Sequence, residues 1–254
     1  MVINMINIAI FCPRNIVSIF RSKLASNSEC RFLFVYEDQN ANALADEYQY
    51  DKTKDWSYCF LKEYCIDLVV IYYWNYLIPE DIVNKYNIYN LHPSLLPKYR
   101  GPYPILFQLL HNESILGLTL HKLDSHFDTG DIYLQEQFSI GQNYQLINIK
   151  LYRLAVKLLG ILIDDFSKGT IILKPQDNTI ATYYSKKDLD KYIITEKYSL
   201  CEFQRLSKIF SYFPPFRVLI DSQIYNIKSY HFSPTYNGKK FDLCDATIYM
   251  DFEI

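Results

Sequence analysis

The chain has 254 residues, half of them hydrophobic, and a formal net charge of -2. That length allows one large domain or two smaller ones, and that hydrophobic content is enough for a buried core. Lys and Arg are mixed with Asp and Glu along the whole chain, so the sequence shows no basic face of the kind that binds tRNA. We therefore expect no nucleic-acid partner.

The first residues, MVINMINIAIFC, predict an opening strand and not a signal peptide, because no positive residues precede the apolar run. No segment approaches the ~20 uninterrupted apolar residues of a spanning helix. We therefore expect a cytoplasmic protein with no membrane partner. The six cysteines form no CxxC pair and no metal-ligand spacing with His, which predicts reduced core thiols and no bound metal.

Short apolar runs, separated by helix-compatible stretches, occupy residues 5–12, 31–36 and 67–73. That alternation is typical of βαβ units and predicts a parallel sheet. Residues 87–92 continue the series until Pro93, because proline lacks the N–H that a central strand uses. The first part of the chain is thus predicted to be α/β.

Two further strands are predicted at residues 116–123 and 131–140, where apolar residues alternate with period two, near a sheet edge. Residues 143–168 have helical periodicity, and Gly169 is a natural end for that helix. The polar stretch at residues 174–182 suits a crossing to a second region.

The remainder is too short for a large independent domain. It contains a possible helix at residues 201–210 and strand-like runs at 217–220 and 224–230. We therefore predict a domain over residues 1–180, with a Rossmann-like, mainly parallel sheet flanked by helices. A small α+β C-terminal appendage is predicted over residues 181–254.

Asn90 and His92 are two residues apart near the end of a predicted strand, so their side chains emerge on one face and can address one ligand atom. The following segment, HPSLLPKYRGPYP, contains four prolines and predicts a stiff loop at a strand end, where open α/β sheets bind ligands. A second loop, DSHFDTGD, offers Asp124, Asp128 and Asp131.

These residues alone leave the function open. A single histidine at a strand end is more often structural than catalytic, and DTGD is a common turn composition. His121 and His126 are interpreted as strand or surface residues, Asp124 as a loop anchor and Asp131 as a polar residue at a strand start.

The two segments together, NLHPSLLPKYRGPYPI and LDSHFDTGDI, resemble the formyltransferase family that uses 10-formyltetrahydrofolate. The resemblance covers residues 1–180 and is strongest over residues 88–133. It implies the formyltransferase fold and a catalytic set of Asn90, His92 and Asp128.

The resemblance also implies a folate co-substrate, 10-formyltetrahydrofolate, and no metal. The matching folate-site positions are Leu77, Ile78, Ser94, Leu95, Leu96, Pro97 and the backbone at Asp124. The implied reaction is acyl transfer to an amine through a tetrahedral intermediate. Asn90 is expected to donate to the oxyanion, His92 to act as base or proton shuttle, and Asp128 to orient the imidazole. Whether His92 is mainly base or mainly donor stays open.

The C-terminal segments ATYYSKKDL and FSYFPPFRVLIDSQIYNI resemble the appendage of sugar N-formyltransferases, which act on nucleotide-linked amino sugars. The resemblance implies dTDP-4-amino-4,6-dideoxyglucose or its 3-amino isomer as acceptor, in surface polysaccharide biosynthesis. Arg100, Lys98 and Tyr103 are candidates for binding the diphosphate and base; ordinary loop solvation and packing is the alternative.

Three other functions are considered. Methionyl-tRNA formyltransferase carries a larger basic C-terminal region, which the length and net charge of this chain disfavour. Glycinamide ribonucleotide formyltransferase lacks such an appendage. The third is an inactive folate- or nucleotide-binding module, which an intact catalytic set disfavours. Many family members with such appendages are dimers, so a homodimer is expected.

Overall fold

The computed structural model describes residues 5–25, 27–37, 44–51, 55, 57–74, 76–141, 144–233 and 235–253. They divide into two compact units. The first unit comprises Met1–Arg100 and Ile115–Tyr183, and the second comprises Gly101–Ser114 and Tyr184–Ile254.

The described residues of the first unit form a seven-stranded sheet with strands β1 (Ile6–Phe11), β2 (Cys30–Tyr36), β3 (Glu47–Gln49), β4 (Leu68–Ile71), β5 (Asn87–His92), β6 (Ile115–Lys122) and β7 (Ile132–Ser139). Their order in the sheet is β3-β2-β1-β4-β5-β6-β7. Strands β1 to β5 are parallel, whereas β6 and β7 are antiparallel to their neighbours. The predicted α/β class with a mainly parallel sheet is confirmed.

Among its described residues, four α-helices belong to this unit: α1 (Arg14–Leu24), α2 (Phe60–Glu63), α3 (Glu80–Lys85) and α5 (Gln145–Lys168). The central strands are buried on both faces, which is why they are almost continuously apolar. Phe11 and Ile71, for example, share a buried cluster with Leu61 of α2 and Ile82 of α3.

The long amphipathic helix predicted at residues 143–168 is α5; residue 143 itself lies outside the described residues. Its buried stripe includes Leu151, Leu158 and Leu162. The helix ends where predicted, because Gly169 has φ 65° and its N–H bonds back to the last turn.

Cysteine burial differs from the prediction. Cys12 is buried and Cys30 is half-buried, as core thiols would be, but the other four cysteines are exposed: Cys59, Cys65, Cys201 and Cys244. All six are free thiols. The prediction of core positions is therefore wrong for those four, because cysteine spacing carries no information about which face of an element a side chain occupies.

The second unit contains helices α4 (Pro104–Leu110) and α6 (Leu200–Phe210). Its described residues also form a four-stranded antiparallel sheet with strands β8 (Arg217–Ile220), β9 (Gln223–His231), β10 (Lys239–Asp242) and β11 (Thr247–Phe252), in the order β10-β11-β9-β8. A capping box fixes the start of α6, since Ser199 and Glu202 each accept from the other's backbone N–H. In the described part of the chain, no helix is long and apolar enough to cross a membrane.

Candidate active site

Strands β5 and β6 place polar side chains next to one another. Asn90 and His92 are two residues apart on β5, and the antiparallel register pairs them with His121 and Thr119 of β6. Directly paired residues in an antiparallel ladder project on the same face of the sheet. The two strands therefore present their polar residues to one region, at the carboxyl end of β5.

Asp128, in the loop between β6 and β7, completes this group. Its Oδ1 atom lies 3.3 Å from Asn90 Nδ2, 3.4 Å from His92 Nδ1 and 3.6 Å from His121 Nε2. The three residues that the sequence singled out for catalysis thus come together around one carboxylate oxygen. His121 is a fourth member that sequence reasoning missed.

His92 is held in one tautomer by the backbone. Its Nε2 atom lies 2.8 Å from the carbonyl oxygen of Tyr99. A carbonyl oxygen only accepts, so Nε2 must carry a proton and donate it. Nδ1 is then the nitrogen that can gain or lose a proton, and it is the atom that faces Asp128.

His121 fixes the orientation of Asn90 in the same way. Its Nδ1 lies 3.0 Å from the carbonyl oxygen of Lys122, which places the ring proton on Nδ1. Its Nε2 then accepts from Asn90 Nδ2 at 3.2 Å. The amide nitrogen of Asn90, and not its oxygen, is therefore directed toward Asp128. His121 is a strand residue, one of the two positions that the sequence left open for it, and it is fully buried.

Burial lowers the pKa of His92 from its ordinary value, and the nearby His121 acts in the same direction. The negative charge of Asp128 and the hydrogen bond to Tyr99 oppose this shift without cancelling it. The imidazole is therefore mainly neutral at neutral pH, with its proton on Nε2. Nδ1 then presents a lone pair, which is the state that a general base requires.

An NMR titration of ¹³C-labelled histidine tests this balance. We expect a His92 pKa below ~6.5, the ordinary value for histidine. Asp128→Asn removes the charge that favours imidazolium, so we expect the His92 pKa to fall further in that variant. A rise in the Asp128→Asn variant would contradict the assigned electrostatic role of Asp128.

The Asp128 loop is held by contacts on both sides. Asp128 has φ 54°, a left-handed conformation that aspartate tolerates better than most residues. The carboxylate of Asp124 accepts from the Thr129 hydroxyl at 2.7 and 2.8 Å. A Cβ on Gly130 would lie 1.9 Å from the carbonyl oxygen of Lys122, so only glycine allows this approach of the two chain segments.

The segment from Ser94 to Pro97, predicted to line the folate site, is fastened to β6. The Thr119 hydroxyl donates to the carbonyl of Ser94 at 2.6 Å and accepts from the N–H of Leu96 at 3.1 Å. Leu95 packs over Gly117, where a Cβ would come within 2.3 Å of the leucine side chain. The Leu96–Pro97 peptide bond is cis. This segment is thus fixed relative to Asn90 and His92 through β6.

The remaining predicted ligand-binding residues differ in exposure. Leu77 is 74% exposed, whereas Ile78 is buried. Lys98 is exposed, and Tyr103, which belongs to the second unit, is half exposed. Exposure leaves the side chains of Leu77, Lys98 and Tyr103 accessible to a ligand.

Arg100 is buried, with its guanidinium directed into the first unit. Its Nε and Nη2 atoms donate to Gln176 Oε1 at 3.1 and 2.7 Å, and Nη2 also donates to Asn178 Oδ1 at 2.8 Å. These contacts favour a structural role for Arg100 over contact with a phosphate. Its assignment as a substrate ligand stays a prediction.

Among the described residues, no group of three or more His, Cys, Asp or Glu is arranged to hold a metal ion.

Comparison with known proteins identifies the domain that carries this site. Residues 32–152 match the family model described as Formyl transferase. Methionyl-tRNA formyltransferase of Blochmanniella pennsylvanica is 32% identical over 163 residues, which cover 61% of this chain and 49% of that protein. The chain thus spans about half the length of the curated relatives it matches.

Solved structures share the fold over more of the chain. A sugar N-formyltransferase from Shewanella sp FDAARGOS_354 has a TM-score of 0.69 at 19% identity, over 89% of this chain and 97% of its own. Methionyl-tRNA formyltransferase from Clostridium thermocellum has a TM-score of 0.66 at 15% identity, over 98% of both chains. At such identities the likeness concerns the fold. Residues 32–152 therefore form a formyl transferase domain, and the chain is similar to methionyl-tRNA formyltransferases over 163 residues.

Proposed function

We propose that the protein is an N-formyltransferase that moves a formyl group from 10-formyltetrahydrofolate to the amine of a nucleotide-linked amino sugar. The main support for formyl transfer is that Asn90, His92 and Asp128 lie close together within a formyl transferase domain. The chain spans about half the length of its curated relatives, so their activity is not assigned to it directly and the activity of this protein is a proposal.

The reaction begins with attack of the acceptor nitrogen on the formyl carbon. The carbonyl oxygen becomes an oxyanion in the tetrahedral intermediate, and the bond from carbon to N10 of folate then breaks. Asn90 is suited to donate to that oxyanion, because His121 keeps its amide nitrogen facing the site. The contact between Asn90 Nδ2 and Asp128 Oδ1, at 3.3 Å, is long enough to be exchanged for a stronger acceptor.

His92 is suited to accept the proton that the attacking amine releases. The proton on Nε2 stays in its hydrogen bond to the carbonyl oxygen of Tyr99, so Nδ1 takes the new proton and becomes a donor to Asp128 Oδ1. The aspartate charge stabilises the imidazolium at that stage. The same proton then passes to N10 of the departing tetrahydrofolate, which balances the reaction. These contacts favour His92 as a base over a permanently charged donor.

The charge of the second unit supports a small acceptor. Lys and Arg in residues 184–254 are nearly matched in number by Asp and Glu. Several of its basic side chains are already in ion pairs: Lys191–Asp188, Arg217–Asp190, Lys239–Asp221 and Lys240–Asp242. A tRNA-binding surface needs unmatched positive charge, because phosphate contacts dominate such affinity. Lys98 remains exposed to meet a diphosphate.

Methionyl-tRNA formyltransferase is the second candidate, because the curated relatives that match the chain carry that name. The fold does not separate the two candidates, since solved structures of both kinds share it. The acceptor must therefore be identified by experiment. A homodimer and a cytoplasmic location stay predictions.

A panel of amines tests the acceptor. The purified protein is incubated with 10-formyltetrahydrofolate and, in turn, 3-amino and 4-amino dTDP-sugars, glycinamide ribonucleotide and charged initiator tRNA. We expect mass spectrometry to find a formyl group on an amino sugar nucleotide. Formylation of the tRNA alone would contradict the sugar acceptor and support the second candidate, methionyl-tRNA formyltransferase. Folate binding without transfer to any amine would indicate a non-catalytic binding module.

A further inference from the structure

Residues 174–182, which we call the 174–182 strap, contact both loops that support the candidate site. The strap lies outside residues 32–152, which match the family model. It is anchored at its start by paired backbone hydrogen bonds between Lys174 and Ile132, each 2.8 Å long. Beyond that anchor, its side chains reach the Asp128 loop and the loop containing Tyr99.

Gln176 is the contact to the Asp128 loop. Its Nε2 donates to the carbonyl oxygens of Asp128 and Gly130 at 2.9 and 2.7 Å, while its Oε1 accepts from Arg100. Every hydrogen-bonding position of this buried amide is therefore occupied. A flipped amide would place an oxygen against two carbonyls, so the orientation is fixed by its partners.

Thr182 is the contact to the loop that supports His92. Its hydroxyl accepts from the N–H of Tyr99 at 2.8 Å, and its N–H donates to the carbonyl of Pro97 at 3.1 Å. The carbonyl of Thr182 accepts from the N–H of Arg100 at 2.9 Å. The strap thus holds the residue whose carbonyl fixes the tautomer of His92.

We propose that Gln176 is a positioning residue for the formyl transfer proposed above, which holds the carboxylate of Asp128 at its working distance from Nδ1 of His92. Gln176 binds the carbonyls on either side of Thr129 and is itself braced by Arg100, so the Asp128 loop cannot move without breaking several buried hydrogen bonds. Arg100 then acts on the site through Gln176.

The distance that Gln176 is proposed to maintain is the 3.4 Å between His92 Nδ1 and Asp128 Oδ1. A displacement of ~1 Å in a catalytic group can cost ~10²-fold in rate. The alternative is that Gln176 only stabilises the fold and does not position Asp128 for the reaction. In that case its replacement lowers stability but leaves the rate per folded molecule and the pKa of His92 unchanged.

Two variants separate these roles. Gln176→Met keeps the length of the side chain and removes all of its hydrogen bonds without adding charge. Gln176→Glu keeps the contact with Arg100, which pairs its charge and holds the residues around position 176, but it places an oxygen against the two loop carbonyls and is expected to displace the Asp128 loop. Gln137→Met, on an exposed position of β7, is the matched control.

We expect kcat to fall by about tenfold or more in both Gln176 variants, with the KM for the amine within about threefold of wild type. In Gln176→Met, the His92 pKa measured by NMR should also fall, because the Asp128 charge is no longer held close. The control should match wild type. Folded variants with wild-type kcat and His92 pKa would overturn the proposal. If wild-type protein formylates no amine, the proposed function fails, and the His92 pKa alone decides the positioning role.

Discussion

We expect His92→Ala to lower kcat for formyl transfer by ~10³-fold, within the range for removal of a general acid–base group. Nδ1 of His92 is the atom available to take the amine proton, since Nε2 is committed to the carbonyl of Tyr99. Asn90→Ala removes the donor directed at the developing oxyanion and is expected to cost ~10²-fold. Stopped-time assays of the formylated product measure both values.

The control for these variants is His231→Ala, which removes an exposed imidazole in the second unit. Its kcat should equal that of wild type. Circular dichroism and thermal unfolding establish that each variant is folded. A folded His92→Ala protein with undiminished kcat would show that another group accepts the proton.

The second large effect is expected from Gly130→Ala. The new Cβ would lie 1.9 Å from the carbonyl oxygen of Lys122, which is backbone and cannot rotate away. The Asp128 loop must therefore shift, at a cost of ~1–3 kcal/mol in unfolding free energy. Because Asp128 is two residues away, we also expect kcat to fall by ~10²-fold.

Gly160→Ala is the matched control for the same substitution. Gly160 is exposed on α5, and a Cβ there meets no atom within 4 Å. Alanine has the higher helix propensity, so this variant should gain ~0.5–1 kcal/mol and keep its kcat. Denaturant unfolding and rate assays of the two variants give the comparison. Equal stability for Gly130→Ala and wild type would contradict the described loop geometry.

The fold was predictable from sequence where hydrophobic patterns are local and strong. The buried parallel strands β1, β2 and β4 are short apolar runs, and α5 has a clear helical period ended by Gly169. Strands β3, β10 and β11 were missed. β3 is three residues long, and β10 reads KKFD, so neither carries the alternation that identifies a strand.

The candidate site was predictable only in part. Side-chain alternation placed Asn90 and His92 on one face, and the family resemblance selected Asp128 from three nearby aspartates. His121 was missed because its position opposite Asn90 depends on the register of β5 and β6, which residue spacing alone does not give. Gln176 was missed because its hydrogen bonds are to a loop that is distant along the chain, and residue spacing does not show such contacts.

Transfer of an isotopic label tests the central claim most directly. The wild-type protein and Asn90→Ala are each incubated with 10-formyltetrahydrofolate carrying ¹³C in its formyl group and with an amino sugar nucleotide, and the nucleotide is examined by mass spectrometry. The account predicts one ¹³C-formyl group on the amine with wild-type protein, and a rate ~10²-fold lower with Asn90→Ala. Label in the sugar at equal rates with both proteins, or no label with the wild type on any amine of the panel, would contradict it.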